Sequence, residues 1–345
     1  MTQPESPSAK TSAFFRFFSP FRAYATTSSL AIVYGYLCVW LFDGRAVHVI
    51  PLETFSWSFV MLVPYAIGII SVSTNFFTRR LRKDADENPR ELSFVEAIFI
   101  PWLGILGVAV VALILSFGFL LCFIISVPIL FPAASFGGLS VWLVQKHRKL
   151  AIMLFVFALF APFGLSPVEA RIEKERETVQ TLTSIQIDAD AAGVWAEIGT
   201  VDPITAQEHR FDWIYLIGLP RPISATLSDH GVGGVRRASY ENGLHFDEEI
   251  IEWEKYKRLR FTIEEVSETL LPAPLDLIDG ETFDIVAVMY EIEELEDGTV
   301  MLHLSSEHFL TTRFNHYGAF WTDQLMRNLQ NYILEIVKAR AEQVG

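Results

Sequence analysis

Four stretches of the chain contain no Asp, Glu, Lys or Arg: residues 23–42, 54–78, 97–145 and 150–168. About 20 apolar residues carry an α-helix across the hydrocarbon core of a bilayer. Three of the stretches suit one crossing each. The third is too long for one, and it divides at Ser126, Val127 and Pro128, where proline reads as a turn. The pattern predicts five spans, at about 25–42, 57–77, 97–125, 129–145 and 150–167. The first run is not followed by a small-residue cleavage site, so it reads as a span rather than a cleaved leader.

Beyond residue 168 the period changes. A charged linker covers 169–178. Short alternating runs then predict strands at 179–187, 223–229, 234–241, 244–253, 258–267, 283–295 and 299–311. Asn242-Gly243 and Asp297-Gly298 are hairpin-turn dipeptides. Asp190 is positioned to cap a short helix at 191–198. The stripe Trp321, Leu325, Leu329, Tyr332, Ile333 and Ile336 has helical spacing and predicts a long amphipathic helix over 317–341. A sheet must cover its apolar face, and this helix is the available cover. The expected fold class is an all-α transmembrane bundle of about five spans followed by an α+β domain. The domain would be a curved antiparallel sheet wrapped on its C-terminal helix. The divisions are a tail (1–24), a transmembrane region (25–168), a linker (169–178) and the α+β domain (179–345).

Charge sharpens this division. The net charge is −14, but it is not shared evenly. Through Val168 there are 12 Lys and Arg against 8 Asp and Glu; from Glu169 onward there are 15 against 33. Nucleic-acid binding needs a basic surface, and the acidic half offers the opposite sign. Its many Ile, Leu, Phe, Trp and Tyr residues oppose disorder. The two cysteines, Cys38 and Cys122, sit in apolar runs and read as small buried hydrophobes.

Basic residues cluster in the tail (Lys10, Arg16, Arg22), after the second span (Arg79, Arg80, Arg82, Lys83, Arg90) and between the last two spans (Lys146, Arg148, Lys149). With five spans all three fall on one side, which the positive-inside rule assigns to the cytoplasm. The acidic half is then expected on the external side of a cell membrane, such as a bacterial inner membrane. An even number of spans would reverse this. Phe14, Phe15, Phe17, Phe18 and Phe21, interleaved with Arg16 and Arg22, suit an interfacial anchor. No predicted span carries a central charge, which disfavours a coupled transporter. Gly104, Gly107, Gly118, Gly137 and Gly138 would allow close helix packing.

The acidic half resembles the polyketide cyclase/START-like (SRPBCC) superfamily. The segments that carry the likeness are Ile185 through Trp195, Gly231-Val-Gly-Gly-Val-Arg236, Glu248 through Trp253, Lys257-Arg-Leu-Arg-Phe261 and Gly298 through Leu304, with the closing helix. The whole arrangement is similar to bacterial membrane proteins with a C-terminal domain of this type. The resemblance covers about half the chain. It implies a helix-grip fold with a cavity between sheet and final helix. It does not imply one activity, because the superfamily holds lipid carriers, receptors, cyclases and ring-hydroxylase subunits.

The candidate cavity residues are Phe246 and Glu248 on one strand, Leu304 and His308 on another, and Trp321, Gln324 and Asn328 on the helix. The run around Glu248 does not alternate cleanly, so Glu248 faces either the cavity or solvent. Two apolar insertions, 211–220 and 270–278, are candidate lids, carried by Trp213, Leu216, Leu271 and Leu277. Gly231, Gly233 and Gly234 precede a strand and read as a turn, not a phosphate loop. His303 and His308 are five apart on one strand and so face opposite ways. His245 with Asp247 and Glu249 forms an outward acidic cluster without zinc-ligand spacing. No metal or cofactor is expected. The expected partners are the lipid bilayer and a hydrophobic small molecule or lipid. The leading reading is a membrane-anchored binding protein. A cyclase- or hydrolase-type enzyme using Glu248 or His308, and a structural module binding other membrane proteins, remain alternatives.

Overall fold

The structure is a computed structural model that describes residues 19–42, 53–81, 91–115, 119–216, 219–266 and 281–344. It divides into two compact units, Met1–Glu173 and Lys174–Gly345.

The first unit is helical: α1 (Ser19–Phe42), a π-turn at Ser58–Leu62 running into α2 (Val63–Leu81), α3 (Phe94–Leu115), α4 (Phe119–Val144) and α5 (Arg148–Glu169). Among the described residues, four segments are long and apolar enough to cross a membrane: Ser58–Thr78, Phe94–Leu115, Leu121–Val144 and Arg148–Glu169. A fifth apolar segment, Ser28–Phe42, is shorter. The helices do not divide where expected. Ser126, Val127 and Pro128 lie inside α4, which is continuous from Phe119 to Val144. Proline is tolerated within membrane helices because neighbouring groups satisfy the freed backbone. Pro128 and Pro132 are both internal to α4, and the Ser126 hydroxyl donates to the Cys122 carbonyl at 2.7 Å. The fourth helix is therefore full length rather than short.

Glycines bring α2, α3 and α4 together. A Cβ on Gly137 would fall on the Tyr65 carbonyl oxygen, and one on Gly138 on that of Ala97. Gly68 plays the same part against Ala134. Gly118 lies outside the described residues, as do residues 1–18 of the aromatic tail. The side chain of Glu169 closes one end of the bundle. Its carboxylate accepts from the backbone N–H of Trp57 (2.5 Å), the N–H of Ser58 (2.9 Å) and the Ser58 hydroxyl (2.8 Å). These N–H groups open the helical run that continues into α2, where a negative charge is favoured.

The second unit contains β1 (Glu177–Ile187), α6 (Ala191–Gly199), α7 (Trp213–Leu216), β2 (Pro222–Leu227), β3 (Val235–Tyr240), β4 (His245–Glu254), β5 (Arg258–Val266), β6 (Phe283–Glu294), β7 (Val300–Leu310) and α8 (Asn315–Val344). The strands form one antiparallel sheet in the order β1-β7-β6-β5-β4-β3-β2. The turns follow from residue chemistry. Asn242 (φ 62°) and Gly243 (φ 80°) join β3 to β4, and Gly298 (φ 87°) joins β6 to β7. Asp190 caps α6, accepting from Gly193 N–H at 2.7 Å. Strict alternation buries Val300, Leu302, Leu304, Ser306 and His308 on one face of β7. That face looks at α8. Leu334, Val337 and Ala341 of α8 pack into a core with Ile187, Phe261, Tyr290, Leu302 and Leu304. Burying each large aliphatic side chain contributes about 1.5–3 kcal/mol.

Candidate functional site

The inner face of the sheet is not uniform along α8. At the C-terminal end of the helix, Leu334, Ile336, Val337 and Ala341 are buried. Towards its N-terminus, Trp321, Leu325 and Leu329 are only half-buried. Burial is thus more complete at the C-terminal end of α8 than towards its N-terminus, where Met326 and Gln330 are buried between half-buried neighbours.

Two polar spots interrupt this inner face. The first is an ion pair. Arg236 on β3 and Glu248 on β4 are register partners across the hairpin, and their side chains are hydrogen-bonded to each other. Both are buried, at 5% and 6% exposure. The sequence left Glu248 facing either way. Regular alternation from 245 to 250 leaves Phe246, Glu248 and Ile250 inward, and the bulge after Ile250 ends it. The Arg236 Nε donates to the Gly199 carbonyl at 3.1 Å, where the C-terminal end of α6 favours a cation. The guanidinium also lies 5.2 Å from the Phe261 ring centre. Burial pushes the Glu248 carboxyl above the usual range, and the Arg236 charge opposes it. Burial works against the guanidinium charge, but Glu248 restores it and holds Arg236 above its ordinary value. Burial also raises the Tyr240 and Tyr290 phenols.

The second spot surrounds His308. The ring is fully buried, with Nε2 3.0 Å from the Thr322 hydroxyl of α8. The Phe283 ring centre lies 5.5 Å away. Burial lowers the imidazole pKa to about 4, against the pull of Asp323. The neighbouring polar groups are satisfied among themselves. Thr181 donates to Asp323 at 2.9 Å, and Asp323 accepts from Arg327 at 2.8 Å. The Gln330 amide is hydrogen-bonded to Thr183 at 3.0 Å and to Ser306 at 2.9 Å.

The sheet order separates the candidates. Glu248 with Phe246 and His308 with Leu304 lie three strands apart, about 14 Å along the sheet at the usual strand spacing. They are two spots on one face rather than one cluster. Phe246 packs edge-on to Tyr240, and Leu304 belongs to the apolar core. Trp321 is half-buried, and its Nε1 is enclosed without a partner among the described residues. Asn328 donates to the Gln324 carbonyl at 2.8 Å, so part of its amide serves its own helix. His303 lies on the opposite face from His308, bonded to Ser184 at 2.6 Å. Among the described residues no group of three or more His, Cys, Asp or Glu could hold a metal ion.

The first apolar insertion contains the short helix α7, which periodicity did not reveal. Ile214 is buried, and the Tyr215 ring packs on Tyr332 of α8 at 5.1 Å. Trp213 and Leu216 remain exposed, as does Phe211 at 81%. Leu271 and Leu277 lie outside the described residues. Arg236 is the functional candidate that sequence reasoning missed. Counting back from Asn242-Gly243 as a two-residue turn sets Arg236 opposite Glu249; the three-residue turn Glu241–Gly243 shifts the register by one and pairs Arg236 with Glu248.

No protein-family model matches the chain, and no curated protein matches it. Several solved structures are similar to its second half. A START superfamily protein from Mycobacterium smegmatis is 9% identical, covering 48% of this chain and 99% of its own, with a TM-score of 0.34. An uncharacterised protein from Rhizobium leguminosarum is 16% identical, covering 50% and 99%, with a TM-score of 0.31. The major latex-like protein 151 of Panax ginseng is 14% identical, covering 47% and 96%, with a TM-score of 0.29. At these scores they add nothing to the functional reading, which rests on the inner face of the sheet.

Proposed function

We propose that the chain is a membrane-anchored binding protein that holds a hydrophobic small molecule or lipid between the sheet and α8. The carrying observation is the uneven burial along α8: Trp321, Leu325 and Leu329 are half-buried where Leu334, Ile336 and Val337 are buried. Affinity would come from apolar burial, with a few polar groups fixing orientation. The buried Arg236–Glu248 pair supplies such a group. The acid/base alternative needs a Glu248 carboxylate free to take a proton, and its pairing with Arg236 weighs against that role.

The five helices of the first unit would serve as the anchor. The contact of Glu169, at the end of α5, with the start of the α2 helical run supports an even number of crossings between them. Together with α1 this favours five spans, a cytoplasmic N-terminus and an external second unit. Exposed Phe211, Trp213 and Leu216 would serve as a lid at the bilayer interface, where apolar and aromatic side chains are favoured.

Native mass spectrometry of the detergent-solubilised full chain tests the binding role. One apolar adduct should survive removal of the micelle and disappear in Leu325→Trp or Leu329→Trp, which fill the groove. An adduct pattern unchanged by both substitutions would place any bound lipid elsewhere and sink this reading.

A further inference from the structure

Two enclosed polar atoms at this end of the inner face lack a partner among the described residues, Nε1 of Trp321 and Nδ1 of His308, and the second has its proton placement fixed by its neighbours. The Thr322 hydroxyl has two contacts, the Ala319 carbonyl oxygen at 3.3 Å and Nε2 of His308 at 3.0 Å. A carbonyl oxygen only accepts, so both contacts become hydrogen bonds when Thr322 donates to Ala319 and Nε2–H donates to Thr322. That chain of donors places the imidazole proton on Nε2 and leaves Nδ1 as a bare acceptor. Burial keeps the ring neutral at physiological pH, so Nδ1 carries no proton of its own. It has no partner among the described residues, and it is enclosed, so a ligand reaches it by displacing the side chains packed around it. The other inward polar groups nearby, Thr181, Thr183, Ser306, Asp323 and Gln330, are bonded to one another or to Arg327. A buried acceptor without a donor is destabilising, and a ligand donor would remove that deficit.

We propose that Nδ1 of His308 accepts a hydrogen bond from the polar end of the ligand, so that the ligand is an apolar molecule bearing a hydroxyl or N–H donor. A carboxylate would bring negative charge and further lone pairs against this acceptor, and a plain hydrocarbon would leave it bare. This assignment rests on the groove reading above and adds the chemistry of the ligand's polar end.

The test compares three probes of one chain length, 1-hexadecanol, hexadecanoate and hexadecane, on the full chain in detergent, with retention read by native mass spectrometry. Wild type should retain hexadecanol about five- to tenfold better than either other probe, the effect of one added hydrogen bond. In His308→Phe that preference should fall to about twofold or less, while hexadecane is still retained. The 15N shifts of the His308 ring in wild type give a second readout independent of the variant's folding. Free protein should show Nε2 protonated and Nδ1 bare, and hexadecanol should shift Nδ1 alone. Equal retention of all three probes by wild type, or an Nδ1 that is protonated or unmoved, overturns the His308 assignment and leaves the groove reading standing. Retention of none of the probes removes the groove reading itself, and this assignment with it.

Discussion

Glu169 and Glu248 are buried carboxylates, one in each unit, and they are neutralised in different ways. Glu169 accepts from two backbone N–H groups and a hydroxyl at the start of a helical run. Those donors would be unsatisfied without it, so its negative charge completes the helix end. Glu248 faces a full opposite charge on Arg236. Desolvating both partners of such a pair costs several kcal/mol, and apolar residues of similar volume commonly do as well or better for stability. The first arrangement is explained by the fold that contains it. The second is not required by the fold, and that is why it marks a candidate binding face.

Substitutions at the two sites should separate these roles. Arg236→Ala strands the Glu248 carboxyl in the domain interior and should lower stability by about 3–5 kcal/mol, read by denaturant unfolding monitored through tryptophan fluorescence. The double variant Arg236→Met, Glu248→Leu should recover most of that loss while reducing ligand retention. Recovery of stability with undiminished retention would remove the pair from the binding role. Glu169→Ala should cost less, about 2–3 kcal/mol, because the freed helix-end donors lose hydrogen bonds to a charged acceptor. Hydrogen exchange should accelerate at Trp57 and Ser58, with little change in ligand retention. A larger loss from Glu169→Ala than from Arg236→Ala would reverse the comparison.

The third effect depends on pH. His308 is held at a pKa of about 4 by burial, below its ordinary 6.5, with Asp323 pulling the other way. Its neutral form is the one the fold accepts. The associated stability is present above pH 6.5 and is lost as pH falls towards 4. Between pH 7.5 and pH 5 the loss should be about 2 kcal/mol, and it should be absent in His308→Phe. Equal acid sensitivity in the two proteins would assign the loss to other groups.

Local chemistry made much of this structure readable in advance. Turn dipeptides and period-two alternation located the seven strands, and the helical stripe from Trp321 located α8. What local chemistry does not contain is the partner. Pro128 reads as a break because proline ends helices in water, yet within the apolar α4 the chain continues through it. Glu248 was visible but ambiguous, because the run 247–253 carries a bulge after Ile250 that arises from the pairing of β4 with β5. Hairpin counting from Asn242-Gly243 misses the Arg236–Glu248 pair by one residue, because the turn takes in Glu241 as well. Gln330 could not have been found that way, because Thr183 and Ser306 reach it from strands far away in the chain. Glu169 sits at a boundary where charge reappears, and nothing local to it indicates Ser58.

A third carboxylate gives the smallest and cleanest comparison. Asp190 caps α6 by accepting from Gly193 N–H at 2.7 Å, the same job that Glu169 does for the start of the α2 run. Asp190, however, is exposed and accepts one such hydrogen bond rather than three. Water can replace it at the frayed helix end, so Asp190→Ala should cost about 1 kcal/mol and Asp190→Asn almost nothing. The α6 C-terminal carbonyl of Gly199 receives Arg236 Nε, so a loosened α6 should also reduce exchange protection of the β3–β4 hairpin slightly. Denaturant unfolding of the two Asp190 variants beside Glu169→Ala decides the point. If Asp190→Ala costs as much as Glu169→Ala, then burial and the number of donors are not what set the two caps apart, and the distinction between a helix-completing carboxylate and the Arg236–Glu248 pair must rest on charge alone.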